Sequence, residues 1–133
     1  PMVAALETLK IIRTSDYLEH MASLGEALRA GLDATASDAG MGFRQTGPVQ
    51  MPLFLFEDDP DFRIGFAWSE AMLQRGIYVH PWHNMFLCQA MTRDDIDMTV
   101  AAAREAFDEV KQARGTLQPH PVVSAMFAAM AAE

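Results

Sequence analysis

The sequence predicts one α+β domain over residues 1–133: a small, largely antiparallel sheet covered on one face by helices, in the order ααββαββα plus a C-terminal helix. Two observations carry that expectation. Apolar residues recur at helical spacing near both ends, and short apolar runs punctuated by Gly and Pro fill the middle. The length supports it too: 133 residues, half of them hydrophobic, can bury about two thirds of the surface the unfolded chain exposes.

Met2, Leu6, Leu9 and Ile12 mark a first helix, and Tyr17, Met21, Leu24, Leu28 and Leu32 mark one face of a second. Ser15 or Asp16 is placed to cap the second helix, with Glu19 closing a capping box on Asp16, and Gly40 and Gly42 stop it. Residues 43–46 read as a short strand, Gly47-Pro48 as a turn, and residues 49–56 as a strand with Pro52 at a sheet edge. Glu57, Asp58, Asp59 and Pro60 combine acidic capping with a proline suited to the first helical position, so a helix is expected over residues 60–75, ended by Gly76. Residues 77–79 and 85–88 read as two further strands. Thr92, Arg93, Asp94 and Asp95 open a helix whose apolar stripe is Ile96, Val100, Ala103, Phe107 and Val110. Pro119 and Pro121 then break the chain before a terminal helix, and residues 119–133 form an apolar tail whose composition favours a partner surface.

Composition narrows the function classes. The formal net charge is −8 and the ten basic residues are scattered singly, which leaves no docking stripe for nucleic acid. The longest apolar stretch is too short to cross a bilayer, so no membrane partner is expected. Cys88 is the single cysteine, which suits a reducing compartment and makes the cytoplasm the default location. The chain enters at Pro1-Met2 directly into helical periodicity; a cut inside a longer protein and removal of an initiator Met both give that start.

Few residues are equipped for chemistry. The glycines fall in caps and turns without phosphate-loop spacing, and the two lysines, Lys10 and Lys111, stand among helix residues where solvation is the ordinary state. No catalytic residue, no cofactor-binding residue and no metal ligand is assigned; His80, His83 and Cys88 match no familiar zinc spacing. The methionines fall mainly on apolar stripes and read as core filling, and the acidic run at Glu57 reads as a cap. The one dense polar constellation is His80, Trp82, His83 and Asn84, in a proline-containing loop between two expected strands, where several side chains can converge outside the sheet. Solvated histidines with Trp82 packed on the domain are the bland alternative.

The segment Arg75-Gly76-Ile77-Tyr78-Val79-His80-Pro81-Trp82-His83-Asn84-Met85-Phe86-Leu87, continued by Thr92-Arg93-Asp94-Asp95-Ile96-Asp97 and Ala103-Arg104-Glu105-Ala106-Phe107, resembles the C-terminal end of class III aminotransferases, and within them the glutamate-1-semialdehyde aminomutase subgroup. Residues 1–9 resemble the helix that enters the small domain of that family, and residues 51–56 its inner strand. The resemblance implies a fold-type I, pyridoxal-phosphate-dependent and usually homodimeric enzyme acting on a small-molecule amino substrate. It also implies that the cofactor lysine, the acid facing the ring nitrogen and the phosphate loop lie in an N-terminal large domain, so that no cofactor is bound by this chain alone and the chain alone is inactive. By the same resemblance His80, Trp82, His83 and Asn84 form one wall of a substrate cleft, His80 falling where some ω-transaminases carry an arginine for the substrate carboxylate. A histidine there lacks the bidentate fork. The competing expectation is a free-standing binding or dimerisation module derived from such a domain.

Overall fold

The structure, a computed structural model, describes residues 2–131; Pro1, Ala132 and Glu133, which the sequence reading includes in the domain and its tail, lie outside the described residues. The elements are α1 (Met2–Thr14), α2 (Tyr17–Ala39), β1 (Phe43–Thr46), β2 (Leu53–Phe56), α3 (Arg63–Gln74), α4 (Arg93–Ala113), a short 3-10 turn (Arg114–Thr116) and α5 (Pro121–Met130). An α+β domain with an antiparallel sheet is what the sequence predicts. The sheet is smaller than expected, because β1 and β2 are its two strands, with Phe43 opposite Phe56 and Thr46 opposite Leu53.

The two remaining expected strands are corrected here: residues 77–80 and 84–88 have no regular strand structure. Ile77 donates its N–H to Met72 O in the turn after α3, and residues 78–80 make no backbone–backbone hydrogen bond among the described residues. Met85 and Leu87 donate to Pro52 O and Gln50 O at 2.8 and 3.0 Å, so this stretch lies beside the approach to β2 without entering the ladder. Proline explains the gap. Pro52 has no N–H to return, so the pairing cannot close the alternating rings that an antiparallel ladder needs.

A two-stranded hairpin is marginal by itself. Here Trp68 of α3, 1% exposed, stands within 5.3–5.8 Å of the rings of Phe43, Phe54, Phe56 and Phe107, joining both strands, α3 and α4 in one aromatic cluster. Tilted and edge-on geometry predominates, the arrangement aromatic quadrupoles favour. The α2 stripe of Met21, Leu24, Leu28 and Leu32 packs against α4, where Ala103, Ala106 and Phe107 are fully buried. Gly31 permits that approach, since a Cβ there would collide with Val100. Gln45 Nε2 donates to Arg29 O and Asp33 Oδ1, both at 2.8 Å, and Arg29 returns a bond to Gly47 O, so the hairpin is tied to α2 by polar contacts as well.

The termini of the helices follow local chemistry. Helix α4 starts where expected, and Thr92 and Asp95 form a reciprocal capping box there. The Asp16 cap of α2 is corrected: its side chain makes no capping bond, while Gly40 ends α2 in the left-handed conformation with φ 68°. Helix α3 begins at Arg63, later than expected, because Asp59 caps it from a distance, accepting from the N–H groups of Ile64 and Gly65 at 3.0 and 2.8 Å. The chain reaches that geometry through Phe62, whose φ of 58° is rare for an aromatic residue.

Gly25 faces the hairpin loop, and a Cβ added there would strike the backbone carbonyl of Val49. Gly25→Ala should therefore lower the unfolding free energy by about 1–3 kcal/mol, opposite in sign to the gain of about 1 kcal/mol that helix propensity alone gives. Urea denaturation of the two proteins measures the sign directly.

Candidate functional site

Residues 80–84 leave the extended stretch after α3 and fold over the first turns of that helix. Pro81 is buried against Gly65, where an added Cβ would come within 3.2 Å of the proline ring. Trp82 lies edge-on to Phe62 and Phe66, with ring centroids 5.3 and 5.1 Å away. Glycine at 65 and phenylalanine at 62 and 66 thus fix the loop to the same helix that carries Trp68 into the core.

The four residues singled out in the sequence do come together, with different degrees of commitment. His80 is half-buried; its Nδ1 accepts the Trp82 N–H at 3.3 Å, and its ring lies 5.4 Å from Trp82 and 5.9 Å from His83. A nitrogen that accepts a hydrogen bond carries no proton, so the donor left to His80 is Nε2–H. His83 is exposed and its Nδ1 donates to Asn84 O at 3.0 Å, which leaves Nε2 as an acceptor in the neutral ring. Asn84 donates to Met51 O at 3.3 Å, tying the loop to the hairpin. The loop therefore presents one donor and one acceptor on adjacent imidazoles, a pair suited to orienting a polar substrate group. Among the described residues no group of three or more His, Cys, Asp or Glu side chains is placed to hold a metal ion.

The structure adds neighbours that the linear reading missed. His120, at the start of α5, stacks on Phe66 with centroids 4.4 Å apart and planes 9° apart, and its Nδ1 accepts the Val122 N–H. Ser69, one turn along α3, has a buried Oγ without a hydrogen-bond partner among the described residues. A groove of about 690 Å³ joins these residues to His80 and Pro81. A helical spacing of 62, 66 and 69 was the signal that could have put Phe62, Phe66 and Ser69 on one face; His120 lies too far along the chain for any spacing to connect it.

Arg63 closes one end of the groove. It is held by Asp61 through two Nε contacts at 2.8 and 3.1 Å and a further ion pair from Nη2, and it donates to Leu117 O at 3.2 Å. The hydrogen bonds from Arg63 keep the Asp61 carboxyl below the usual carboxylate range, and Asp61 in turn raises the guanidinium. A carboxyl depressed on folding stabilises the fold above its unfolded value of about 3.9, and that contribution is lost as pH falls through the lower folded value. An NMR titration of Asp61 should accordingly give a midpoint below that of an unfolded-peptide aspartate, and Asp61→Asn should flatten the acid side of the stability profile between those two midpoints.

With the geometry in view, the comparisons with known proteins are direct. No family model matches the chain. It is 54% identical over 123 residues, 92% of its length, to the aminopentol aminotransferase of Sphingopyxis macrogoltabida, and 35% identical over 121 residues to a glutamate-1-semialdehyde 2,1-aminomutase of Anaeromyxobacter dehalogenans. It superposes with a TM-score of 0.90 and 54% identity on the pyridoxal-phosphate internal aldimine form of the FumI protein from Sphingopyxis sp. MTA144, covering 92% of this chain and 30% of that one. The β-phenylalanine aminotransferase of Variovorax paradoxus gives a TM-score of 0.60 at 25% identity, covering 75% of this chain and 25% of that one. The chain spans about three tenths of the length of the curated relatives it matches, 29% for the first and 28% for the second. The relatives and structural neighbours it is similar to are pyridoxal-phosphate-dependent class III aminotransferases, glutamate-1-semialdehyde aminomutases among them, and the match is to a small C-terminal part of them.

That cofactor requires an amine, a partner for the ring nitrogen and donors for the phosphate. The residues described here do not fit it. Lys10 is exposed and pairs with Glu7 on α1, Lys111 is exposed near the C-terminal end of α2, and neither faces the groove.

Proposed function

We propose that this chain is the C-terminal small domain of a pyridoxal-phosphate-dependent aminotransferase or aminomutase, with one wall of the substrate cleft formed by His80, Trp82, His83 and Asn84. The observation that carries the reading is the high identity, sustained over nearly the whole chain, to the C-terminal three tenths of an enzyme named as an aminotransferase. In this reading a large N-terminal domain holds the cofactor, the enzyme works in the cytoplasm as a homodimer, and the substrate is a small-molecule amine, amino acid or amino aldehyde. The substrate named for the Sphingopyxis relative makes a hydroxylated amine the first to try.

The chain's own part is placement. The aromatic contacts of Trp82 hold His80 and His83 side by side, so their Nε2 atoms offer a donor and an acceptor at fixed positions without a bidentate cation. Such positioning acts on binding more than on the chemical step. In the complete enzyme, His80→Ala should raise KM for the amine about threefold to tenfold, the worth of one neutral hydrogen bond, with kcat nearly unchanged. An unchanged KM would remove His80 from the cleft.

Reading the coding sequence upstream of Pro1 tests the proposal most directly: a large domain with a pyridoxal-phosphate lysine is expected, and a stop codon immediately before Pro1 would sink it. Added to the isolated chain, pyridoxal phosphate should give no borohydride-reducible absorbance band. Stoichiometric labelling of Lys10 or Lys111 would be the contrary result.

Exposed apolar side chains on α1 and α5 support a second reading, a free-standing binding or dimerisation module. Leu6 and Leu9 are 67% and 61% exposed, and Val122 and Met130 are similarly open, while Val123 alone anchors α5 in the core. Light scattering with an amino-acid titration separates the two, since a monomer that binds no amino acid removes the support for a module.

A further inference from the structure

Where the described backbone turns left-handed, it mostly uses residues suited to it. Gly40, Gly47 and Gly76 take a positive φ without a side chain to clash, and Asp58, at φ 56°, has a short polar side chain that tolerates the region. Phe62 is the exception, at φ 58° and ψ 16°. A bulky residue held there is strained, and strain of this kind persists where the surroundings over-determine it, often beside a binding or catalytic site.

The turn itself does not call for phenylalanine. It brings the Asp59 carboxylate to the N–H groups of Ile64 and Gly65, while Phe62 O accepts from Phe66 N–H at 2.9 Å and starts the helix. Residue 62 enters those bonds through its backbone, which glycine or asparagine would supply with less strain. What phenylalanine adds is a ring. That ring has one aromatic neighbour among the described residues, Trp82, edge-on at 5.3 Å and 75°. Phe66 is shared by comparison, meeting Trp82 at 5.1 Å and stacking on His120 at 4.4 Å. Trp82 in turn donates its N–H to His80 Nδ1 at 3.3 Å, and its ring lies 5.4 Å from that imidazole, so a displaced indole is felt at His80 through both contacts and at His83 as the next residue in the chain.

We infer that Phe62 is a positioning residue for substrate binding: its backbone is held in the left-handed conformation so that the phenyl edge seats Trp82, and the seated Trp82 fixes where His80 and His83 present their Nε2 atoms. Phe62 does not line the groove beside His80, so it acts through Trp82 and not by touching the amine. The inference rests on the proposed function in one respect, that the 80–84 loop is a wall of the substrate cleft.

The test uses the full-length enzyme with Phe62→Asn, which keeps the left-handed turn and deletes the ring, and Phe62→Tyr, which keeps the ring. Phe62→Asn should raise KM for a primary amine about twofold to tenfold, the range for one edge-on ring contact, with kcat nearly unchanged, and Phe62→Tyr should keep the parent KM. Fluorine NMR of protein labelled with fluorotryptophan gives a second reading, the Trp82 resonance being identified by its loss in Trp82→Phe. That resonance should move in Phe62→Asn and hold its place in Phe62→Tyr. If Phe62→Asn does not fold, Phe62→Gly, which enters the turn more freely, is read in its place. An unmoved resonance overturns the inference, as does a parent KM in Phe62→Asn while His80→Ala raises KM, or a loss of kcat and thermal stability together with no change in KM. A parent KM in His80→Ala as well, or no turnover of any amine, defeats the cleft reading, and the inference falls with it; His80→Ala thus tells the two failures apart.

Discussion

The packing of Trp68 into the ring cluster of Phe43, Phe54, Phe56 and Phe107 is the constraint on which the rest of the domain depends. Two four-residue strands supply too few ladder bonds to persist in water, and the hairpin survives because its inner face is shared by α3 and α4. Ring-on-ring contact also fixes direction. An aliphatic core tolerates rotation of one helix against another, whereas five rings meeting at about 5–6 Å leave few alternative packings for the axis of α3.

That axis carries the site. One side of α3 sends Ile64, Trp68, Ala71 and Met72 inward; the adjoining side offers Phe62, Phe66 and Ser69 to the 80–84 loop and the groove. Asp59 secures the helix start, Gly65 lets Pro81 reach the helix backbone, and at the far end Arg75 clasps Glu105 and Glu109 of α4 at 3.0 and 2.9 Å. Loop position is therefore inherited from core packing through one short element. A change in the phenylalanine cluster is felt at His80 without any direct contact between them.

Much of this was readable from residue order, where the physics is local. The α4 start was legible because a capping box needs only Thr92 and Asp95, three positions apart, and the α2 stripe because burial repeats with the helical period. The expected strand over 85–88 failed for a reason that strand propensity does not contain: Pro52 stands where a returning donor was needed, so Met85 and Leu87 donate without a ladder forming, while the stretch after Ile77 stays extended without a strand partner among the described residues. The cap of α3 was assigned to the right acidic run, but the left-handed turn at Phe62 moved the helix start by a few residues. At the site, the contiguous cluster of His80, Trp82, His83 and Asn84 was visible as a cluster, whereas the anchoring of Asn84 to Met51 O was not. Ser69 and His120 were invisible because their relation to His80 exists only once α3 and the chain before α5 are laid side by side.

The 80–87 stretch is pinned at both ends, by Pro81 against Gly65 and by the N–H groups of Met85 and Leu87 on the carbonyls of Pro52 and Gln50. Beyond it, Cys88, Gln89 and Ala90 are exposed, and a single turn bond from Met91 N to Cys88 O closes the approach to α4. Variation in chain length is tolerated where backbone and side chains carry few obligations. Divergence within such a scaffold would be steered: the loop can change its chemistry only by exchanging side chains in place, while added residues accumulate on the far shoulder, next to Cys88, without disturbing what the histidines face.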